Sequence, residues 1–298
     1  MAKNIFLSFV ICMSLKFILI LNFIFLFGHL AQAQTILQNA SNGKLFIIGG
    51  GNRSSALILK LIETAQLTKK DHIAILPMAS VEPDSSFYYI KIQLEAACGN
   101  TIANLNFTAD KINDQEWIDS LQRAKLIFIA GGDQSRFMRL VLKSPIYNAI
   151  HYAYKRGSVI AGSSAGAALM SKYMITGNQL LGDTTYSETF GKLWNSNIEF
   201  TEGLGLLDSV IIDQHFIVRS RYNRLISSLA KFPNYICLGI DESTAIIVHQ
   251  KKVTVTGEGQ VIKLCCPKNL QTKKPIPLIK FQNAQFSIYT TGDSFIIK

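Results

Sequence analysis

The sequence is poor in charged residues, and it has no internal repeat and no low-complexity segment. Only 17% of its 298 residues are charged, whereas 48% are apolar. Disordered chains are rich in charge and poor in apolar residues, and fibrous proteins have short repeats. The composition therefore excludes both classes and indicates a globular protein.

Cysteines in a metal-binding arrangement are also lacking. The chain has five cysteines, and the four that follow the N-terminal segment are Cys98, Cys237, Cys265 and Cys266. Their spacing fits no zinc site. Cys98 and Cys237 lie in apolar segments, where a buried free thiol is the commoner state. We therefore predict no metal and no redox role, and leave the disulfide state open.

Basic residues are in excess but are not concentrated anywhere. The 30 Lys and Arg against 20 Asp and Glu give a formal net charge of +10. The basic residues are scattered and are not interleaved with aromatic residues, as they are in proteins that bind phosphates and bases. We therefore expect no nucleic acid as a partner.

The N-terminal segment has the pattern of a signal peptide. Ile5–Phe27 is almost wholly apolar, Lys3 precedes it, and the small residues of Ala31–Ala33 follow it. Cleavage after residue 33 would give an exported, periplasmic or extracellular protein of residues 34–298 with no further membrane contact. The alternative is an uncleaved membrane anchor, because Ile5–Phe27 is long enough to span a bilayer if Lys16 is tolerated.

Beyond the leader, short apolar segments alternate with helical patterns. This alternation predicts a doubly wound α/β domain, in which helices cover both faces of a mostly parallel sheet. The predicted strands are Lys44–Gly49, His72–Pro77, Leu126–Ala130, Ser158–Ala161, Val210–Ile212 and Leu238–Val248. The predicted helices are Ser54–Gln66, Phe87–Ala97, Asp114–Arg123, Arg136–Tyr154, Ala165–Met170 and Phe216–Ala230. We expect one α/β domain over residues 34–298, with this core at about 44–250.

The last segment, about 251–298, has a different pattern. Lys252–Ile262 consists of two alternating runs joined through glycines, which predicts a hairpin. Phe286–Tyr289 and Phe295–Ile297 flank a turn and predict one more β pair. We therefore expect an antiparallel β extension of the sheet.

Open α/β sheets carry their sites beyond the carboxyl ends of the strands. Gly49–Asn52 follows the first strand, but it lacks the third glycine of a dinucleotide fingerprint, and the next strand ends without an acidic residue. A tight turn is therefore favoured over a dinucleotide site, and we predict no cofactor. The loop Ala130–Gln134 places the N–H of Gly132 where it could serve an oxyanion hole, although Asp133 could equally be a helix N-cap.

The third strand end carries a G-x-S-x-G motif. Gly162-Ser163-Ser164-Ala165-Gly166 follows a predicted strand and precedes a predicted helix, as a nucleophile elbow requires. Only Ser164 has glycines at both −2 and +2, so it is the predicted nucleophile rather than Ser163. The N–H of Ala165 would then be one oxyanion donor, with that of Gly132 as the second.

A histidine and three arginines follow the strand at Val210–Ile212. His215 is the natural base for a serine nucleophile, because imidazole titrates near neutral pH. On one unbroken helix Arg219 would share the face of His215, whereas Arg221 and Arg224 would lie elsewhere. Either the helix begins later or the arginines differ in role. Guanidinium groups bind carboxylates in pairs of hydrogen bonds, so a carboxylate-rich substrate is indicated; the alternative is a solvated basic face.

Together, these segments resemble the cyanophycinases. The segments that carry the resemblance are Gly131–Gln134, Gly162–Ala167, Asp213–Phe216 with Arg219, Arg221 and Arg224, and Gly239–Ala245, and it runs from about Lys44 to Gly259. The resemblance implies a flavodoxin-like or class I glutamine-amidotransferase-like fold. It also implies a serine exopeptidase that hydrolyses cyanophycin, poly-aspartate with arginine on each β-carboxyl, to β-Asp-Arg dipeptides through an acyl-enzyme.

The resemblance also implies roles for individual residues. Ser164 would be the nucleophile and His215 the base, with an acid between them in the chain as the third triad member. We predict Glu188 for this acid, with Asp183 as the alternative. The residues implied to bind substrate are Gln134, Asp213, Gln214, Arg219, Arg221 and Arg224.

Two other functions stay open at this point. One is an aspartyl or isoaspartyl dipeptidase of the same family, which would share the fold and the elbow. The other is a non-catalytic, amidotransferase-like binding module, which would require a missing nucleophile or base, whereas Ser164 and His215 are both present. An amidotransferase itself is disfavoured because the elbow carries serine instead of cysteine. We expect cyanophycin or an Asp-containing peptide as the partner, and a homodimer is not excluded.

Overall fold

The computed structural model describes residues 42–185 and 187–297. The predicted signal peptide, residues 1–33, lies outside these ranges, so its cleavage and the alternative membrane anchor both stay predictions. Within the described ranges, no helix combines the length and the apolar character needed to cross a bilayer.

Helices and strands are interspersed as far as residue 240 of the described chain, and strands alone follow. The helices are α1 (Ser55–Ala65), α2 (Pro83–Glu95), α3 (Gln115–Arg123), α4 (Gln134–Val141), α5 (Pro145–Lys155), α6 (Ala165–Ala168) and α7 (Tyr222–Lys231). The strands are β1 (Lys44–Ile48), β2 (His72–Leu76), β3 (Thr101–Asn104), β4 (Leu126–Ile129), β5 (Val159–Ser163), β6 (Tyr173–Gln179), β7 (Ile198–Glu202), β8 (Val210–Gln214), β9 (Ile236–Ile240), β10 (Thr244–His249), β11 (Lys252–Gly257), β12 (Val261–Lys268), β13 (Gln271–Lys273), β14 (Leu278–Lys280), β15 (Asn283–Tyr289) and β16 (Ser294–Ile296).

The largest sheet is the frame on which the candidate site is built. Its eight strands lie in the order β16-β11-β10-β1-β5-β4-β2-β3. The five strands from β1 to β3 are parallel, whereas β10, β11 and β16 are antiparallel additions. Because parallel neighbours need crossover connections, helices join these five strands. The predicted fold class, a mostly parallel sheet with an antiparallel C-terminal extension, is confirmed.

Successive side chains of the parallel strands enter two different cores. In β1, Leu45 and Ile47 face the core that contains α3, α4 and α5, whereas Phe46 and Ile48 face α1 and α2. All four side chains are fully buried. A strand covered on both faces is apolar along its whole length, which is why these strands show no alternation in the sequence.

Strands β8 and β9 belong to a second sheet and do not extend the first one. Its order is β15-β12-β9-β8, with β8 and β9 parallel to each other. Helix α7 covers its outer face through Leu225 and Leu229, and Ile212 and Leu238 of its inner face join the core beneath the main sheet. The segment that ends at His215 therefore reaches the main sheet from a neighbouring layer.

Two elements predicted as continuous are interrupted. The helix predicted over Arg136–Tyr154 ends at Val141 and starts again at Pro145, because Lys143 adopts a φ of 62° and proline cannot donate the N–H that a continuing helix needs. The strand predicted over Leu238–Val248 is broken before Thr244. Its two halves, β9 and β10, lie in different sheets.

Both predicted C-terminal hairpins are wrong in their pairing. β11 pairs with β10 and β16, whereas β12 pairs with β9 and β15. The glycine-containing link at Gly257–Gly259 therefore crosses from the first sheet to the second, and so does the turn at Thr290–Asp293. An alternating pattern predicts that a segment is a strand, but it does not select the partner.

Candidate active site

Ser164 lies in a strained turn between β5 and α6. Strand β5 ends at Ser163, helix α6 begins at Ala165, and Ser164 between them has a φ of 55° and a ψ of −109°. Few residues other than glycine adopt this region, and such strain is found where the backbone must aim a side chain. The predicted strand–turn–helix context of the motif is confirmed. Ser163 is buried within the sheet.

Ser164, His215 and Glu242 form a continuous hydrogen-bonded chain. Ser164 Oγ lies 2.7 Å from His215 Nε2, and His215 Nδ1 lies 2.6 Å from Glu242 Oε1. An ionised carboxylate can only accept, so Nδ1 carries the proton and Nε2 accepts the hydrogen bond from the Ser164 hydroxyl. This is the geometry of a nucleophile, its base and the acid that orients the base.

The imidazole of His215 is suited to accept a proton. Burial lowers its pKa below the ordinary value of 6.5. The hydrogen bond to Glu242 opposes this shift, and the positive charges of Arg219 and Arg221 add to it. His215 is therefore neutral at neutral pH, which is the protonation state that a general base needs.

The glycine loop after β1 lies directly against this chain. Gly50 has a φ of 117°, and a Cβ added there would lie 2.2 Å from His215 Cε1. The preceding residues also hold the site, because the carbonyls of Ile48 and Gly49 accept the N–H groups of Ser164 and His215. The loop is a tight turn, as predicted, and its missing side chain at Gly50 makes room for the imidazole.

Glu188 is not the carboxylate that contacts His215, so the predicted position of the acid is wrong. Its Oε1 lies 3.2 Å from Arg219 Nη1, and its side chain is 56% exposed. The alternative, Asp183, accepts the N–H of Thr185 at 2.9 Å instead. Glu242 makes the contact with His215 that was predicted for Glu188, with Asp183 as the alternative.

A sequence signal for Glu242 was present. It is the second residue after β9, in the Gly239–Ala245 segment, and residues at the carboxyl ends of strands are the first candidates for a site. The signal was missed because the prediction of one strand over Leu238–Val248 places Glu242 inside a strand and not at its end. The neighbouring Asp241 holds the same region, since its Oδ1 accepts the N–H groups of Ile217 and Val218 at 3.0 and 3.1 Å.

Four of the residues predicted to bind substrate are buried together instead. Asp213, Gln214, Arg221 and Arg224 are each less than a tenth exposed. Arg224 donates from Nε and Nη2 to the two carboxylate oxygens of Asp213. Arg221 Nη1 donates to the backbone and side-chain oxygens of Gln214 at 2.7 and 3.0 Å. These arginines are thus paired with groups of the chain itself and do not face an open groove. Their predicted role in binding substrate stays a prediction.

The other two predicted substrate-binding residues differ in how exposed their side chains are. Gln134 is buried, and its Nε2 donates to the carbonyls of Ile175 and Thr176 at 2.8 and 2.9 Å. Arg219 is 30% exposed and pairs with Glu188. Residues 215–221 form turns, and helix α7 begins only at Tyr222. The helix thus begins later than predicted and the three arginines also differ in role.

The predicted oxyanion donors lie on the two loops that flank the serine. Ala165 follows Ser164 at the start of α6, and Gly132 adjoins Gly131, whose added Cβ would lie 3.4 Å from Ser164 Cβ. Neither N–H donates to a backbone carbonyl elsewhere in the described chain. Within the same residues, no group of three His, Cys, Asp or Glu side chains could hold a metal ion.

Comparisons with known proteins agree on one family. The family model described as Peptidase family S51 matches residues 42–256. A cyanophycinase of Trichormus variabilis is 32% identical over 272 residues, covering 86% of each chain. A cyanophycinase of Geminocystis herdmanii is 34% identical over 194 residues, covering 63% of this chain and 67% of its own.

One solved structure supports the fold alone. The crystal structure of a peptidase from an acI-B1 Actinobacterium is similar with a TM-score of 0.61 and 21% identity. The match covers 88% of this chain and 100% of that one.

Proposed function

The chain belongs to peptidase family S51 and is a serine-type peptidase, and on that premise we propose that it hydrolyses cyanophycin to β-Asp-Arg dipeptides. The observation that carries the proposal is the hydrogen-bonded chain Ser164–His215–Glu242 at 2.7 and 2.6 Å. The substrate is proposed because relatives matched over most of both chains are cyanophycinases.

The proposed chemistry proceeds through an acyl-enzyme. Ser164 Oγ attacks the scissile carbonyl carbon while its proton passes to His215 Nε2, and the resulting imidazolium is stabilised by Glu242. The N–H groups of Gly132 and Ala165 would hold the negative oxygen of the tetrahedral intermediate. His215 then gives its proton to the leaving amine as the C–N bond breaks. Water, deprotonated by His215, hydrolyses the ester and restores the serine.

Arg219 is the proposed contact for a substrate carboxylate near His215. Its N–H donates to the carbonyl of His215 at 3.1 Å, which places its backbone beside the base. Its guanidinium pairs with the exposed carboxylate of Glu188. Exposed pairs of this kind contribute little to stability, so a substrate carboxylate can take the place of Glu188 at small cost.

We also propose that the protein acts outside the cytoplasm. The support is the pattern of residues 1–33, with a basic start, an apolar run and small residues at the cleavage position. Expression of the whole chain in a bacterial host, followed by N-terminal sequencing of the exported fraction, should give a mature protein that begins at Gln34. Recovery only in the membrane with Met1 retained would contradict export.

The function is tested with the insoluble polymer and the purified residues 34–298. Soluble products identified by mass spectrometry should be β-Asp-Arg dipeptides, and Ser164→Ala should release none. Cleavage of isoaspartyl dipeptides with the polymer left intact would show instead a dipeptidase of the same family.

A further inference from the structure

A cavity of about 500 Å³ lies beyond the carboxyl ends of β2 and β3. The loop after β2 forms one wall, through Met78 and Ser80, and the segment after β3 forms another, through Phe107. Helix α4 borders it with Arg136 and Leu140. It is thus a mixed site, with an apolar floor and a few polar groups, as ligand pockets usually are.

The wall of this cavity is joined to the loop that flanks Ser164. The carbonyl of Ala79 accepts the N–H of Asp133 at 2.8 Å. It approaches Gly132 so closely that an added Cβ would lie 2.2 Å from the oxygen, and Gly131 lies against Ser164. In the strand order, His215 meets the serine from the β1 side, whereas the cavity lies on the β2 and β3 side. A chain bound across Ser164 would therefore extend into it.

Arg136 is the one charged group among the residues that line the cavity. Its Nη1 donates to the carbonyl of Ala79 at 3.3 Å, and in the described part of the chain no carboxylate lies within 4.0 Å of its guanidinium. Asp133, the nearest acid in sequence, accepts the backbone N–H groups of Ser135 and Arg136 and pairs at 3.9 Å with Arg139.

This sets Arg136 apart from the arginines that follow His215. Arg219 pairs with Glu188, and both Arg221 and Arg224 lie within 4.0 Å of Asp213. A guanidinium fork without an acid partner, at the edge of a cavity whose wall is joined to the loop that flanks the nucleophile, is suited to bind a carboxylate that arrives with the substrate.

We propose that Arg136 binds a substrate carboxylate in this cavity and thereby makes the enzyme selective for peptides whose unit next to the cleaved bond carries a free carboxylate. The inference rests on the proposed function, because each repeat of cyanophycin carries the free α-carboxylate of its arginine. This contact lies on the β2–β3 side of the serine, is additional to the one proposed for Arg219, and does not involve the buried arginines after β8.

The test compares two soluble substrates and three variants. One substrate is a peptide of two β-Asp-Arg units, and the other is its analogue with the arginine α-carboxylates converted to carboxamides. Arg136→Gln should lower kcat/KM on the first substrate by about ten- to hundredfold, mainly through KM, and should hardly affect the second. Arg136→Lys should be intermediate because it keeps the charge but loses the fork. Arg123→Gln is the control, since Arg123 is 66% exposed on α3.

The two substrates distinguish loss of the contact between Arg136 and the substrate carboxylate from a general loss of activity. Amidation should cost the wild type about ten- to hundredfold more than it costs Arg136→Gln, because in that variant the partner of one carboxylate is already gone. An equal cost of amidation in both proteins would overturn the proposal, and so would Arg136→Gln behaving like Arg123→Gln. Unchanged melting temperatures in Arg136→Gln and Arg136→Lys would show that the loss is not unfolding.

Failure of the proposed function is recognised separately. If the wild type cleaves neither the polymer nor the two-unit peptide, that function fails. The Arg136 inference is then decided by calorimetric titration of Ser164→Ala, with and without Arg136→Gln, against the two-unit peptide. Weaker binding on loss of Arg136 supports the contact; no binding, or equal binding, overturns it.

Discussion

Two clusters of acidic and basic side chains lie around the carboxyl ends of β8 and β9, and they differ in how completely their charges are satisfied. In the chain Ser164–His215–Glu242, the side chains of His215 and Glu242 are 12% and 30% exposed. In the cluster around Asp213 and Arg224, both side chains are almost fully buried. The first arrangement can exchange protons with a ligand, whereas the second can only hold the turn that carries His215.

The comparison shows that residue type does not separate catalytic from structural roles. Asp213 and His215 are two residues apart, yet one carboxylate is saturated by Arg224 and by the N–H of Gln214, and the imidazole keeps one nitrogen directed at a serine hydroxyl. Buried charges persist when every lone pair has a donor. Reactive groups keep one position for the substrate.

The largest effect is expected at Ser164. Ser164→Ala should lower kcat on cyanophycin by about a million-fold, as loss of a triad nucleophile does, with melting temperature unchanged because the hydroxyl makes one hydrogen bond at a half-buried turn. Ser163→Ala is the matched control and should keep its activity within a few-fold. Residual activity of Ser164→Ala within tenfold of wild type would contradict the serine mechanism.

The next effect is at the acid, where Glu242 is compared with Glu188. Glu242→Gln removes the acceptor that fixes the His215 tautomer and should lower kcat by about 10⁴-fold. Glu188→Gln breaks only an exposed ion pair with Arg219 and should change kcat by less than about tenfold. Steady-state kinetics on the two-unit peptide measure both. The reverse order would show that Glu188 moves to His215 during turnover.

The buried cluster should respond in stability. Arg224→Met leaves the fully buried Asp213 carboxylate without its bidentate partner and should lower the free energy of unfolding by about 3–5 kcal/mol. Arg219→Met, the matched control, breaks a partly exposed pair and should cost less than about 1 kcal/mol. Urea denaturation measures both values.

The effects of these two variants on substrate binding should be the reverse of their effects on stability. Arg219→Met should weaken substrate binding, whereas the folded fraction of Arg224→Met should keep its KM. An Arg224→Met protein as stable as wild type but with a raised KM would support the predicted substrate role of Arg224.

The sequence was sufficient to predict those site residues whose position depends on local geometry. Ser164 was predictable because the turn, its glycines and the flanking strand and helix are contiguous, and His215 because it closes an apolar strand. Glu242 was not, because its position depends on where β9 ends, and the prediction of one strand over Leu238–Val248 runs through that point even though the polar residues Asp241–Thr244 interrupt it. Long-range pairing decided this break, since β9 and β10 join different sheets.

The burial of the charged residues Arg221 and Arg224 could not be predicted from the sequence either. Arg221 and Arg224 read as a basic helix face as long as the helix is taken to start at Phe216. Instead, His215 and Ser220 adopt φ values of 49° and turn the chain back on itself. This brings Arg221 onto Gln214, seven residues earlier. Non-helical turns of this kind have no periodicity to reveal them.

The smallest predicted effect is a shift in the pH dependence of the catalytic chain. Because burial lowers the pKa of His215, the acid limb of kcat/KM should have its midpoint below 6.5, with activity lost as the pH falls through it and the imidazole is protonated. Glu242→Gln should move the midpoint further down, since that carboxylate raises the pKa. Arg219→Met should move it up, since that charge lowers the pKa. Rates on the two-unit peptide between about pH 4 and 8 measure all three, across the ordinary range of histidine. A wild-type midpoint above 6.5 would mean that Glu242 raises the pKa of His215 by more than burial lowers it. The chain Ser164–His215–Glu242 would then differ less from the buried Asp213–Arg224 cluster than the geometry indicates.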